Sequence, residues 1–196
     1  MPRRTRRLTQ LVLGLAGYAV SMALMVRAGL GSMPWDVLHQ GLALRTGLSF
    51  GTVTVLVGGL VLLLWIPLRE RPGIGTVANV VVIGATVDVA LAVIPVVDGL
   101  GARIALAVTG IVLNAAATAA YIGVGLGPGP RDGLMTGFAA RTGRSVRLVR
   151  TTIEVVVVLT GWLLGGTFGL VTVAYALAVG PLVQWFLPRC TVRVRD

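Results

Sequence analysis

The chain has 196 residues, 56% of them hydrophobic and 12% charged, with a formal net charge of +10. Soluble domains carry about 25% charged residues, so this composition, with a mean hydropathy of +0.91, excludes an ordinary soluble core and points to a polytopic membrane protein. One cysteine, Cys190, and one histidine, His39, leave no internal disulfide framework, no cysteine-based metal cluster and little material for Ser-His-Asp chemistry; no enzyme activity, cofactor or metal is expected.

In chain order, Arg3, Arg4, Arg6 and Arg7 precede an apolar run at 8–26. The run exceeds a signal-peptide core and no A-x-A site follows, so it is read as an uncleaved first span. The stretch GLGSMPWDVLHQGLALRTG comes next, at 29–47. Pro34 suits the first helical position, Asp36 the positive first turn, Arg45 the negative last turn, and Gly47 the stop. A helix over 34–46 is predicted. It rises about 20 Å, short of the roughly 30 Å hydrocarbon core, so it dips partway in or lies at the interface. Apolar runs follow at 50–67, 74–97 and 102–124. GLGPGPRDGLMTGFAARTG, at 125–143, repeats the helix signals as Pro130, Asp132, Arg141 and Gly143, predicting a second short helix over 130–142. Two more runs, 146–165 and 170–187, bring the expected spans to six. The links PLRERPG, VVDGLGA and GGTFG are too short to separate soluble domains.

The doubling is quantitative. At an offset of 96, 13 of 25 positions from Gly29 to Val53 are identical without a gap. The same offset pairs Gly73 with Gly169, Ala78 with Ala174 and Gly84 with Gly180. The expected organisation is two membrane repeats, 1–100 and 101–196, each with three spans and one short helix. An odd number of crossings inverts the second half, as in many secondary transporters. The alternative lets the short helices cross, giving parallel halves of four spans each. With the N-terminus inside, the first arrangement puts 14 of the 17 Arg inside, and the second 13. The positive-inside rule therefore supports cytoplasmic termini but barely separates the two; helix length favours the inverted form.

All 17 basic residues are Arg, gathered at segment ends around 3–7, 69–71, 141–150 and 189–195. That is the pattern of cytoplasmic loops, and no aromatic residues interleave as a nucleic-acid surface requires. The glycine-rich loops lack G-x-x-x-x-G-K-[ST], and the chain has no Lys, so no nucleotide site is expected. Trp65, Trp162 and Trp185 sit near span ends as interface anchors. Gly161, Gly165 and Gly169 stand four apart, a spacing for close helix approach.

Ionisable groups within spans are functional candidates by default. Asp36 and Asp132 are repeat mates; they either bind a cation or proton at a midplane site or accept backbone N–H bonds at their own helix starts. His39 shares a face with Asp36 and can relay protons with it; a surface or interfacial imidazole is the plainer reading. Glu154 can pair with Arg150 one turn earlier. Asp88 lies deep in the third span, opposite Gln184 in the repeat. Asn79 and Asn114 are further intramembrane polar groups that can tie helices together.

The doubled GLG-x-x-P-x-D-x-L…RTG block, carried by Gly29–Leu42 and Gly125–Gly137, resembles the YczE branch of the YczE/YitT family of bacterial membrane proteins. The likeness runs over almost the whole chain. It implies a multipass plasma-membrane protein, some members being grouped with drug or metabolite exporters; it supplies no catalytic residues. The expectation is an all-α secondary transporter or exporter of a small organic solute in the bacterial inner membrane, working by alternating access. Its partners would be the lipid bilayer and the solute, not nucleic acid, and a homo-oligomer is an admissible assembly. The alternative is a non-transporting scaffold or regulator acting through its basic cytoplasmic face.

Overall fold

Apolar runs broken by Gly, Pro and Ser fold as helices in the computed structural model, which describes residues 3–192; Arg193 and Arg195 of the terminal basic run lie outside the described residues. Eight helices and no strand occur among them: α1 (Arg3–Ala28), α2 (Pro34–Thr46), α3 (Phe50–Leu68), α4 (Ile74–Val93), α5 (Leu100–Gly123), α6 (Pro130–Thr142), α7 (Val146–Leu163) and α8 (Leu170–Cys190). Their ends follow from local chemistry. Ser49 Oγ accepts from Thr52 N at 3.1 Å and Ser145 Oγ from Leu148 N at 3.3 Å, starting α3 and α7. Each short helix has Pro in its first turn and a left-handed glycine after its last, Gly47 at φ 73° and Gly143 at φ 65°.

Among the described residues, five helices are long and apolar enough to cross a membrane: α1, α3, α4, α5 and α8. The sequence suggested six. The missing one is α7, whose 18 residues include Arg147, Arg150 and Glu154, so it has no charge-poor stretch of spanning length, as each of the other five has. The outer faces of the five are apolar, with Leu63, Val93 and Leu177 all mostly exposed, as lipid-facing surface requires.

The centre is the antiparallel pair α1 and α5. Arg7, near the start of α1, donates from Nε and Nη2 to Val124 O at the end of α5, at 2.9 and 2.6 Å. Arg103, near the start of α5, donates to Ala28 O and Gly29 O at the end of α1, both at 2.7 Å. Leu15, Met22, Met25, Val87 and Ala115 fill the core around this pair. α4 flanks α1 and α8 flanks α5.

The short helices cross over. α2 packs on α7, and α6 packs on α3. Gly41 and Gly161 meet so closely that a Cβ on either would run into the other helix. The loops before the short helices cross as well. Val171 N donates to Leu30 O at 3.1 Å, and Gly75 N to Leu126 O at 2.8 Å. These two bonds, like the two Arg contacts, are equivalents at the 96-residue offset. Gly31 (φ 109°) and Gly127 (φ 124°) turn the chain there, and each lies against the backbone of the facing half, at Gly169 and Gly73. One equivalence is broken: α3 packs along α4, whereas α7 and α8 have no comparable contact.

A small second cluster joins Trp35, Val61, Trp65, Leu134, Met135 and Val157. Trp65 belongs here and not at an interface, since it is buried and its indole Nε1 donates to Pro130 O at 3.0 Å. Trp162 and Trp185 are exposed.

Candidate functional site

Both short helices enter the protein N-terminus first, with Pro34 and Pro130 buried and their free first-turn N–H groups carrying partial positive charge. The two ends meet at a cavity of ≈ 290 Å³. Met33, Pro34 and Trp35 line it from one half, and Gly129, Pro130, Arg131 and Asp132 from the other. Arg131 bridges the two ends: its guanidinium carbon lies 5.1 Å from the Trp35 ring centroid, and Nη1 lies 3.9 Å from Met33 Sδ. No ion pair holds Arg131 among the described residues.

The remaining wall comes from the long helices: Tyr18 of α1, Thr54 of α3, Asn79 of α4, Tyr121 of α5, Arg150 and Glu154 of α7, and Tyr175 and Gln184 of α8. Two formal positive charges, Arg131 and Arg150, thus face two negative ones, Asp132 and Glu154. Arg150 Nε donates to Glu154 Oε1 at 2.9 Å, the pairing that the i,i+4 spacing suggests. Tyr121 Oη donates to Asp132 Oδ2 at 3.1 Å, and Tyr18 stacks edge-on to Tyr121 with centroids 6.2 Å apart.

The sequence candidates fall into three groups. Asp132, Glu154 and Asn79 line the cavity. Asp88 and Asn114 do not. Asp88 accepts from Ser49 Oγ at 2.6 Å and from Gly51 N at 2.7 Å, fastening α4 to the start of α3. Asn114 donates to Ser21 Oγ and accepts from Tyr175 Oη, both at 2.8 Å, so it holds α1, α5 and α8 together and orients a cavity tyrosine from behind. Asp36 and His39 form the third group, one layer behind the wall. Asp36 is fully buried and His39 1% exposed, so the imidazole is internal and not interfacial. Neither Asp36 oxygen has a hydrogen-bond donor, which removes the expected backbone capping role. His39 Nδ1 lies 3.3 Å from Asp36 Oδ1, close enough for an ion pair but off hydrogen-bond geometry.

Sequence reasoning passed over Arg131, Thr54, Gln184 and the three tyrosines. Arg131 was counted with the cytoplasmic arginines. Its signal was its position between Pro130 and Asp132, inside the first turn of a helix too short to cross.

A family model described as a family of unknown function, DUF6198, matches residues 5–188. The chain belongs to this family. It is 40% identical over 177 residues to an uncharacterized protein of Haemophilus influenzae, covering 90% of this chain and 81% of the relative. It is 31% identical over 176 residues to the uncharacterized membrane protein YczE of Bacillus subtilis, covering 89% and 81%. The uncharacterized protein YyaS of Bacillus subtilis is 24% identical over 180 residues, 90% of each chain. No solved structure matches. The DUF6198 chain is thus a YczE-like, all-helical membrane protein, as the doubled block indicated.

Proposed function

We propose that this DUF6198 protein is a secondary transporter that moves a small organic solute by alternating access between two inverted halves. The observation that carries the reading is the cavity itself. It lies where the N-termini of α2 and α6 meet, and each half supplies a short helix to the other half's long helices. Broken or short helices whose positive ends face a shared site are the usual construction of such transporters. The antiparallel run of α1 and α5 supports inversion, because repeat mates in parallel halves would run the same way. The inner-membrane location with both termini cytoplasmic rests on the Arg distribution and belongs to the same proposal.

The chemistry of the wall favours a solute with both a negative and a positive or hydroxyl-bearing group. Arg131, with two helix N-termini beside it, suits an anionic group. Asp132 with Tyr121 suits the opposite end, and Trp35 with the tyrosines covers the apolar part. A cavity of ≈ 290 Å³ limits the solute to a small molecule.

The test is flux in proteoliposomes against a panel of zwitterionic, anionic and cationic small solutes. Zwitterionic or anionic members are expected to move, with R131A and D132N each lowering initial rates at least about tenfold, the loss of roughly one charge-assisted hydrogen bond. Wild-type proteoliposomes that move no member of the panel under any gradient would overturn the transport reading.

A further inference from the structure

The repeat mates Asp36 and Asp132 have diverged. Asp132 faces the cavity and accepts from Tyr121. Asp36 has withdrawn behind the wall, where its carboxylate is fully buried without a donor. His39 stands where the other half has Met135, and its Nε2 is also buried without a partner. A lone carboxylate in so dry a place is strongly disfavoured. One additional proton makes the pair neutral overall, either as imidazolium beside carboxylate or as carboxylic acid beside imidazole.

The pair also has a route to the cavity. Thr54 is a wall residue, and its Oγ1 lies 3.3 Å from His39 Nδ1 while donating to Phe50 O at 2.9 Å. With its own proton on Phe50, the hydroxyl is an acceptor towards Nδ1–H. When Nδ1 is unprotonated, the Thr54 hydroxyl turns from Phe50 O to donate to it; a hydronium in the cavity then gives its proton to Oγ1 as the hydroxyl's own proton passes to Nδ1, leaving neutral water behind and a neutral hydroxyl on Thr54. Of the elements packed against α2, α3 has no charged residue and contributes Phe50 and Thr54, while α7 carries Arg147, Arg150 and Glu154, the last two at the cavity wall. The titratable groups that act on the pair from further off are Arg131 of α6, Tyr18 of α1 and Tyr175 of α8.

We infer that Asp36 and His39 form a dedicated proton-binding site, separate from the solute cavity and connected to it through Thr54. It deepens the transport reading by naming the coupling ion, and it rests on that reading only for the word coupling. The duplication has thereby split one ancestral carboxylate into two jobs, solute contact in one half and proton carriage in the other.

The chain has a single histidine, so one imidazole signal reports on the site. Full-length protein in lipid nanodiscs, purified by a tag free of histidine and labelled with ¹⁵N-histidine, is followed by solid-state NMR as pH is stepped. The wild type is expected to show His39 titrating by one proton. D36N should change its proton affinity at least tenfold, and D132N should leave it within about twofold. T54V should keep the affinity and slow proton exchange. Where D36N does not fold, H39Q serves: infrared spectra should then show a buried protonated carboxylic acid, and it should persist in H39Q/D132N. An imidazole indifferent to D36N, equal responses to D36N and D132N, or no protonated carboxyl in H39Q would overturn the site. Proton binding that survives while no solute moves would sink the transport reading alone.

Discussion

At the scale of single residues, the burial of a polar group does not reveal its job; its partners do. Asp88 and Asp36 look alike in the sequence, each a carboxylate in apolar surroundings. Asp88 has both oxygens engaged by Ser49 and Gly51, and these lie 37 to 39 residues away in the chain, where no local pattern predicts them. Asp36 has no donor at all. The two therefore respond differently to removal of charge. D88A leaves the Gly51 N–H of α3 unpaired and removes the bond from Ser49 Oγ across to α4, although Ser49 keeps Thr52 as a partner; it is expected to destabilise by about 1–3 kcal/mol, seen as a lower melting temperature in detergent, with flux preserved in the folded fraction. D36N breaks no such fastening, because Asp36 holds no donor, so its melting temperature should fall less than that of D88A. A D88A protein as stable as the wild type would show that the α3–α4 fastening is not structural.

Elements were legible in the sequence wherever their signals were local. Pro34 with Gly47 and Pro130 with Gly143 mark the short helices, and their first-turn aspartates and last-turn arginines follow the helix dipole. What was not legible is which helix each one leans on, because that depends on Gly41 and Gly161 meeting across 120 positions of chain. The apolar count also overrated α7. Its Arg150 and Glu154 line the cavity, and a span that lines a polar cavity can carry charge that a lipid-facing span cannot. The same scale holds the one break in symmetry: α3 is fastened to α4, while α7 stands apart from α8. The positions equivalent to Gly51 and Asp88 are Arg147 and Gln184. In an alternating cycle the two seams exchange states, so R147C/Q184C in a C190S background is expected to cross-link while solute is being transported and then to stop flux. Failure to cross-link under any gradient would mean that the α7–α8 seam never closes.

At the scale of the whole molecule, the duplication was readable but its geometry was only inferred. Identity at an offset of 96 says that two halves share a plan; it does not say how they face each other. That information lies in contacts between halves: Arg7 with Val124 and Arg103 with Ala28, Leu30 with Val171 and Leu126 with Gly75. Each contact has its mate, and the central helices run antiparallel. A shared cavity follows from this exchange, because each short helix can reach the centre only by docking on the other half. Cavity-facing Arg131 was hidden among loop arginines for the same reason, since its surroundings are made by residues of the opposite half.

The most direct measurement of this account is the sidedness of the two short helices. Arg45 and Arg141 are repeat mates at their exposed C-terminal ends. In a C190S background, R45C and R141C are each labelled in intact cells with a membrane-impermeant maleimide, then again after permeabilisation. Inverted halves require R45C to react from outside and R141C only after the membrane is opened; reaction of both from the same side would contradict the inverted architecture on which the proposed transport rests.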